Sequence, residues 1–194
     1  EQTPSQQNWQ PYNRQKRPGE MRLLSYQALA HGADSVLFFQ LRASVGGVEK
    51  FHGAVIGHSG HGDTRVFREC AQLGRELESL GGQFLGARSD ARVAIVFDWD
   101  AWWAVELSSG PSVDLKYLDQ VHAWYRACHE QGIAADIVRQ DADLSDYKLV
   151  IAPLQYLLKP GAARRYEDFV ASGGRFVATV FSGIQPTGEV HLGN

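Results

Sequence analysis

Strand-like and helix-like segments alternate through the second half of the chain, and this alternation is the strongest constraint on its fold. The strand-like runs are rich in Val, Ile, Phe and Ala, whereas the helix-like runs place apolar residues three or four apart. Strands that alternate with helices pack as a parallel sheet. The sequence therefore predicts a doubly wound parallel sheet. Its predicted strands cover residues 92–97, 133–138, 148–152 and 175–181, and its predicted helices cover residues 114–131 and 161–172.

The first half of the chain follows a different order: a loop, a helix, a short strand, a long loop and a second helix. The first predicted helix begins after Pro18-Gly19 and ends at Gly32. The apolar run over residues 33–39 contains β-branched and aromatic residues, which is typical of a strand buried on both faces. The inward face of the first helix is predicted to carry Met21, Leu24, Ala28 and His31.

The loop over residues 42–63 is rich in Gly and His and is too long to be a simple connection. Helical spacing resumes at Val66, and Gly81-Gly82 is the predicted end of this second helix. This order of segments is that of the last units of an α/β barrel, whose active sites gather at the C-terminal ends of the strands. One and a half such units cannot close a barrel, so we expect the chain to be the tail of a longer one.

The charge balance excludes several kinds of partner. The chain has a formal net charge of −3, so we predict neither nucleic acid nor an acidic membrane surface as a partner. No apolar run approaches the roughly 20 residues that a membrane helix needs. Cys70 and Cys128 lie among apolar neighbours without metal-ligand spacing. We therefore expect two buried, reduced thiols and a cytoplasmic protein.

Four residues of the first half are candidates for a functional site: Glu1 and Trp9 in the opening loop, and Glu49 and His52 in the long loop. Carboxylate and imidazole groups hydrogen-bond sugar hydroxyls, and an indole packs against the apolar face of a pyranose. Together these side chains suit a sugar-binding site. Taken one at a time, each also fits an ordinary loop residue.

Other polar clusters point to no cofactor. His58 and His61 have a spacing that metal sites use, but Asp63 is the only further ligand nearby, so we predict no metal. The turn after Phe97 lacks the Gly-rich or Ser/Thr-rich segment that holds phosphate, which disfavours a bound nucleotide or flavin. Cys128 lies on the inner face of a predicted helix, whereas an amidotransferase needs its nucleophile on a tight turn.

An aromatic cluster follows the first strand of the second half and contains Trp99, Trp102 and Trp103. Aromatic side chains are enriched at protein interfaces. The cluster fits an interface with a neighbouring subunit or a lid over that subunit's site. It fits equally well a partly buried loop that packs on its own domain.

Several segments of the first half occur in an order that is found in a known family. They are Glu1-Gln-Thr-Pro4, Asn8-Trp9-Gln-Pro11, Pro18-Gly19-Glu-Met21-Arg22, Ala30-His31-Gly32-Ala33-Asp34, Phe39-Gln-Leu-Arg42 and Glu49-Lys50-Phe51-His52-Gly53. Over residues 1–85 they resemble the late barrel segment of the glycoside hydrolase family 42 beta-galactosidases. Residues 90–194 resemble, in the order of their segments, the start of that family's second domain.

The resemblance implies an α/β chain that is truncated at both ends. Residues 1–85 would be the C-terminal units of a (β/α)8 barrel. Residues 86–194 would be an incomplete trimerisation domain, with a doubly wound sheet that is flavodoxin-like or glutamine-amidotransferase-like. The resemblance also implies a homotrimer that acts on a galactoside and uses no cofactor.

The resemblance assigns a role to each candidate residue. Glu1 matches the catalytic nucleophile, Trp9 matches an aromatic wall of the galactose subsite, and Glu49 and His52 match residues that hydrogen-bond the galactose hydroxyls. From its proximity in sequence, we expect Arg42 to orient Glu49. The implied reaction is retaining hydrolysis, which needs a second carboxylic acid as acid/base. No residue of this chain corresponds to that acid, so we expect the chain alone to be inactive.

Two other interpretations remain open at this point. One is a structural or oligomerisation module without activity of its own. The other is a flavodoxin-like domain that binds a nucleotide or a flavin, which the missing phosphate-binding turn disfavours.

Overall fold

The computed structural model describes residues 1–107 and 109–186. The chain divides into two units, Glu1–Ser89 and Asp90–Asn194. Residues 187–194 of the predicted second domain lie outside the described residues. The elements in chain order are α1 (Glu20–Ala30), α2 (Arg65–Phe84), β1 (Val93–Val96), α3 (Trp99–Glu106), α4 (Tyr117–Glu130), β2 (Ala135–Val138), β3 (Leu149–Ala152), β4 (Leu157–Leu158), α5 (Ala162–Ala171), β5 (Arg175–Ala178) and β6 (Gln185–Pro186).

Four parallel strands form the main sheet of the second unit, in the order β2-β1-β3-β5. Strand β1 lies inside this sheet, where Val93 is paired with Ala135 on one side and with Leu149 on the other. All four residues of β1 are buried. The predicted parallel sheet is therefore confirmed, with the strands one to three residues shorter than the sequence indicated. A separate pair, β4 and β6, was not predicted.

The side chains of β1 alternate between two apolar cores, one on each face of the sheet. Val93 and Ile95 pack in a core with α4. Ala94 and Val96 pack in a second core with α5. Because burying an aliphatic side chain contributes about 1.5–3 kcal/mol, each face of the strand favours a covering helix. Helices on both faces make the sheet doubly wound, as predicted.

The segment after β1 is a helix rather than the loop that one interpretation of the aromatic cluster assumed. Asp98 is the N-cap of α3, and its carboxylate accepts a hydrogen bond from the Ala101 nitrogen at 3.0 Å. The Ala101 side chain is fully buried. An N-cap aspartate satisfies a backbone donor that the first helical turn leaves unpaired. An aspartate directly before the helical residues is therefore the feature of the sequence that indicates this helix.

Helix α1 begins and ends where the sequence predicts, but its inward face is different. Met21, Ser25 and Leu29 are buried, whereas the predicted inward residues Leu24 and Ala28 are exposed. The predicted inward residue His31 is also exposed. The physical reason is polar: the Ser25 hydroxyl donates to the Met21 carbonyl at 2.8 Å and accepts a hydrogen bond from the Gln2 amide. A satisfied serine therefore replaces an apolar residue on the buried face.

Residues 33–39 do not form the strand that we expected to be buried on both faces. A single parallel bridge joins Phe38 to Gln2. The Gln2 nitrogen donates to the Leu37 carbonyl at 2.8 Å, and the Phe39 nitrogen donates to the Gln2 carbonyl at 3.1 Å. Leu37 is exposed. Burial on both faces requires paired neighbours and covering elements on each side, and within the described residues this segment has one bridge partner.

Helix α2 continues past its predicted end. It runs through Gly81-Gly82 to Phe84, and the Leu85 nitrogen bonds back to the Gly81 carbonyl at 3.1 Å. Its start agrees with the sequence because Thr64 caps it through the Phe67 nitrogen. None of the helices in the described part of the chain has the length and apolarity that a membrane crossing requires.

The substitution Gly82→Ala tests the extended end of α2. A Cβ at this position would meet no atom within 4 Å. Alanine loses less backbone entropy than glycine when it enters a helix, so we expect the variant to gain about 0.5–1 kcal/mol of stability. Urea unfolding followed by circular dichroism measures this gain.

Gly19→Ala is the matched control. A Cβ at Gly19 also meets no atom within 4 Å, but the residue has a φ of 79°. The left-handed conformation costs an alanine about 1–2 kcal/mol, so this variant should lose stability. A loss of stability in both variants would contradict the continuation of α2 through Gly82.

Candidate functional site

Two loops of the first unit lie side by side and carry the candidate residues. We call residues 1–13 the first loop and residues 42–63 the second loop. The Gly53 nitrogen donates to the Gln6 carbonyl at 2.8 Å. A methyl group at Gly53 would lie 2.7 Å from the Gln6 nitrogen, so the two backbones approach as closely as glycine allows. This contact fixes where the second loop passes the first.

Trp9 and His52 are in direct contact across the two loops. Their rings are stacked with centroids 4.7 Å apart and an interplanar angle of 26°. Phe39 meets the same imidazole edge-on at 5.1 Å. His52 is 2% exposed, whereas Trp9 is 57% exposed. The arrangement leaves an indole surface open to a ligand and holds the imidazole between two aromatic rings.

The hydrogen bonding of His52 indicates which ring nitrogen carries the proton and which one can accept a hydrogen bond. Its Nδ1 lies 2.8 Å from the Gly53 carbonyl oxygen. Because a carbonyl only accepts hydrogen bonds, Nδ1 carries the proton of the neutral imidazole. The Nε2 atom is then an acceptor, and an acceptor suits the hydroxyl group of a ligand.

Glu49 belongs to the same turn of the second loop. Its carbonyl accepts a hydrogen bond from the His52 nitrogen at 2.9 Å, and its side chain is half-buried. In the described part of the chain, the Glu49 carboxylate forms no hydrogen bond and no ion pair. Arg42, which we expected to orient Glu49, is exposed and makes no ion pair with it there. The Glu49 carboxylate is therefore an unpaired acceptor, three residues before His52 in the sequence.

Glu1 belongs to the first loop and lines a cavity there. Its side chain is exposed, and Gln2 and Leu37 line the same cavity of about 510 Å³. Gln2 forms a β-bridge with Phe38, and the next residue, Phe39, contacts His52 with its ring. Among the described residues, no hydrogen bond or ring contact joins Glu1 to Trp9, Glu49 or His52. The structure thus brings Trp9 and His52 together, keeps Glu49 in their loop, and leaves Glu1 without a contact to them.

The histidines of the second loop are engaged in local bonds. The Nε2 atom of His58 lies 2.9 Å from the Ser44 carbonyl, and Nδ1 of His61 accepts from the Asp63 nitrogen at 3.2 Å. Asp63 also pairs with Arg68. Across residues 1–107 and 109–186, no group of three His, Cys, Asp or Glu side chains has a metal-binding arrangement.

Sequence analysis missed three residues that shape this region. The sequence predicts Phe39 at the end of a strand, places Asn8 in a motif without a role of its own, and gives no signal for Gln6. Both amides bond to the second loop, Gln6 to the Phe51 carbonyl at 3.1 Å and Asn8 to the Val48 carbonyl. Local periodicity cannot predict such contacts, because the bonded residues lie 40 or more residues apart in the sequence.

The second unit has its own candidate site, the crevice at the carboxyl ends of β1 and β3, where flavodoxin-like sheets bind ligands. Gln155 is fully buried at this edge, and with Ala152 it lines a cavity of about 590 Å³. Its amide nitrogen donates to the Val96 carbonyl at 3.1 Å and to the Tyr117 hydroxyl at 2.7 Å. Its amide oxygen accepts from Gln140 at 3.0 Å. The polar atoms of the Gln155 amide are therefore bonded within the chain itself.

Charged residues close the same edge of the sheet. Lys159 lies 2.6 Å from the buried Asp98 carboxylate and 3.3 Å from Asp100. The hydrogen bond to Asp98 raises the pKa of Lys159, and burial raises the pKa of Tyr117. The Asp98 nitrogen in turn donates to the Tyr117 hydroxyl at 2.8 Å. This network gives no support to the nucleotide-binding or flavin-binding interpretation.

Both halves of the chain are similar to known beta-galactosidases. A family model described as beta-galactosidase trimerisation domain matches residues 91–193, and one described as beta-galactosidase matches residues 1–80. Beta-galactosidase BgaP of Planococcus sp. (strain L4) is 59% identical over 184 residues, which are 95% of this chain and 27% of that protein. Beta-galactosidase LacZ of Lactobacillus acidophilus is 49% identical over 194 residues, 100% of this chain and 29% of that protein.

Solved structures agree with these relatives. The crystal structure of a beta-galactosidase from Bacillus circulans sp. alkalophilus matches with a TM-score of 0.89 and 61% identity, over 95% of this chain and 27% of that one. The beta-galactosidase of the Antarctic haloarchaeon Halorubrum lacusprofundi matches with a TM-score of 0.83 and 34% identity, over the same shares. The chain therefore spans less than a third of the length of the relatives that it matches.

The substitution Tyr117→Phe tests whether the polar network supports the second unit. Removal of the hydroxyl leaves the Asp98 N–H without its buried acceptor, whereas the Gln155 amide nitrogen keeps the Val96 and Pro153 carbonyls. Leaving buried donors unpaired costs about 1–3 kcal/mol, so the unfolding free energy should fall by that amount. Tyr156→Phe is the matched control, because Tyr156 is half-buried and lies outside the network. Equal stabilities of the two variants in urea would contradict a structural role for the network.

Proposed function

Because the chain belongs to the glycoside hydrolase family 42 beta-galactosidases, we propose that it is part of a retaining beta-galactosidase. That enzyme hydrolyses terminal non-reducing β-D-galactosides through a covalent galactosyl-enzyme. The stacked pair of the exposed Trp9 and the buried His52 is the observation that supports the proposal most directly. A pyranose ring needs an apolar surface beside well-placed hydroxyl partners, and this pair provides both.

Each candidate residue has a role in the proposal. The Trp9 indole packs on the apolar face of the galactose ring. The Nε2 atom of His52 accepts a hydrogen bond from one hydroxyl, and the unpaired Glu49 carboxylate accepts from another. Hydrogen bonds to a charged acceptor contribute about 1.5–3 kcal/mol, so Glu49 provides the stronger polar contact.

Glu1 is the proposed nucleophile. Its carboxylate attacks the anomeric carbon and forms a glycosyl ester while the bond to the leaving oxygen breaks. A carboxylic acid protonates that oxygen and then removes a proton from the water that hydrolyses the ester. In retaining enzymes the two groups are about 5 Å apart. Glu49 serves the sugar hydroxyls here, so the acid/base comes from a part of the enzyme outside this chain.

The second part of the proposal is a homotrimer that assembles through the second unit. The match to a trimerisation domain supports this assembly. So does the outer face of α3, where Trp99 and Trp103 are 55% and 50% exposed. Half-exposed tryptophans that pack on one another, here with centroids 6.0 Å apart, are typical anchors of protein interfaces.

The proposal includes a domain boundary near residue 85 and a cytoplasmic location. The boundary is supported by the division of the chain into two units at Ser89 and Asp90. The cytoplasmic location is supported by the two cysteines, which form no disulfide. Cys128 is buried, and burial raises the pKa of the half-buried Cys70 to about 11. The raised pKa keeps Cys70 as an unreactive thiol, and two free cysteines suit a reducing compartment.

Glu1→Gln in the full-length enzyme tests the assigned nucleophile. A carboxamide cannot form the glycosyl ester, so we expect kcat on nitrophenyl galactoside to fall by at least about a thousandfold. A 2-deoxy-2-fluorogalactosyl fluoride, which forms a slowly hydrolysed ester, should label the wild-type peptide that contains Glu1. Mass spectrometry locates the label, and a label on another carboxylate would refute the assignment.

Glu49→Gln and the isolated chain serve as controls for that experiment. Glu49→Gln should keep the fluorosugar label but lose about tenfold to a hundredfold in kcat/KM, because it weakens a charged hydrogen bond. Residues 1–194 alone should hydrolyse no galactoside. Hydrolysis by the isolated chain that Glu1→Gln abolishes would contradict an acid/base outside it.

The variants Trp99→Gln and Trp103→Gln test the proposed interface. Loss of an anchor residue typically costs about 2 kcal/mol or more, so the double variant should raise the dissociation constant of the trimer at least about a hundredfold. Size-exclusion chromatography with light scattering measures the mass of the full-length protein across concentrations. Ile133→Gln, at an exposed apolar residue outside α3, is the control. A trimer that persists in the double variant excludes this face as the interface.

A further inference from the structure

The two loops are joined by side-chain amides at two defined peptide groups. The Asn8 amide nitrogen donates to the Val48 carbonyl, and the Gln6 amide nitrogen donates to the Phe51 carbonyl at 3.1 Å. The Val48 carbonyl belongs to the peptide group that leads into Glu49. The Phe51 carbonyl belongs to the one that leads into His52. Each amide therefore holds the backbone immediately before a proposed sugar-binding residue.

Burial does not fix this part of the second loop. Val48 is 91% exposed and Phe51 is 68% exposed, so the turn between them gains little from apolar packing. Its internal bond is the one from the His52 nitrogen to the Glu49 carbonyl at 2.9 Å. The two amides supply the connections from this turn to the first loop.

The backbone of Gln6 is held by donors from both loops. The buried Thr3 donates through its hydroxyl to the Gln6 carbonyl at 3.0 Å, and the same carbonyl accepts from the Gly53 nitrogen at 2.8 Å. Asn8 directly precedes Trp9, whose ring stacks on His52. A displacement of the turn would thus change the position of Glu49 relative to Trp9.

We propose that Gln6 and Asn8 are positioning residues that set Glu49 and His52 against Trp9 for binding of the galactose ring. This inference rests on the proposed function. The amides act on the sugar-binding residues and not on the reacting atoms. Their loss should therefore weaken substrate binding and leave the chemical step largely unchanged, which appears as a rise in KM with little change in kcat.

Asn8→Asp in the full-length enzyme is the first test. The side chain keeps its shape, but a carboxylate cannot donate to the Val48 carbonyl. We expect KM for nitrophenyl galactoside to rise about threefold to tenfold, which is the worth of one net hydrogen bond, with kcat within about twofold of wild type. Gln15→Glu is the matched control, because it makes the same change of charge at an exposed residue that does not line the cavity of Glu1. Its KM should stay at the wild-type value.

A double-mutant cycle separates positioning from a general loss of structure. If Asn8 acts through Glu49, then Asn8→Asp combined with Glu49→Gln should raise KM no further than Glu49→Gln alone. Additive effects would overturn the positioning role. If Asn8→Asp lowers the melting temperature so far that the enzyme is unfolded, Gln6→Glu makes the same test at the second amide.

The outcomes distinguish the inference from the function on which it rests. A raised KM in Glu49→Gln with an unchanged KM in Asn8→Asp and Gln6→Glu refutes positioning and leaves the proposed function intact. An unchanged KM in Glu49→Gln refutes the sugar-binding role of Glu49 itself, and the positioning of that residue with it.

Discussion

Burial of both faces of β1 is the constraint on which the second unit depends. Ala94, Ile95 and Val96 have no exposed surface, and they alternate between the two cores. A strand of this kind needs a parallel neighbour on each side and a helix above and below. The order β2-β1-β3-β5 with α4 and α5 on opposite faces satisfies both requirements.

The first unit is held together differently, because polar contacts replace a continuous apolar core in its loops. Ser25 is buried through its bonds to Met21 and Gln2, and the backbone of Gly53 lies against Gln6. These bonds are directional, so they fix a geometry that apolar contacts alone would leave adjustable. Side chains that bind a sugar need such a fixed geometry.

The sequence could predict most of the second unit and less of the first, for a physical reason in each case. The β1 run is apolar at every position, so its burial follows from composition alone. The inward face of α1 does not follow from composition, because Ser25 is buried through a hydrogen bond from the Gln2 amide. The Gly81-Gly82 pair is a weak stop signal, because glycine only reduces helix stability and packing can override it.

The candidate site shows the same limit. Trp9 and His52 could be singled out from their residue types and from a resemblance, but their stacking could not. Phe39 contacts His52 because of where two loops cross, and no spacing along the chain encodes that crossing. The same holds for the amides of Gln6 and Asn8, whose acceptors are backbone carbonyls and leave no trace in the residue types.

Asp98 links the polar network of the second unit to its exposed aromatic face. Its backbone nitrogen donates to the Tyr117 hydroxyl, and its carboxylate pairs with Lys159. The same carboxylate caps α3 through Ala101, and this helix carries Trp99 and Trp103 outward. The indoles of Trp99 and Trp103 are about half exposed on this helix. They suit contact with another protein, because aromatic side chains are enriched at protein interfaces.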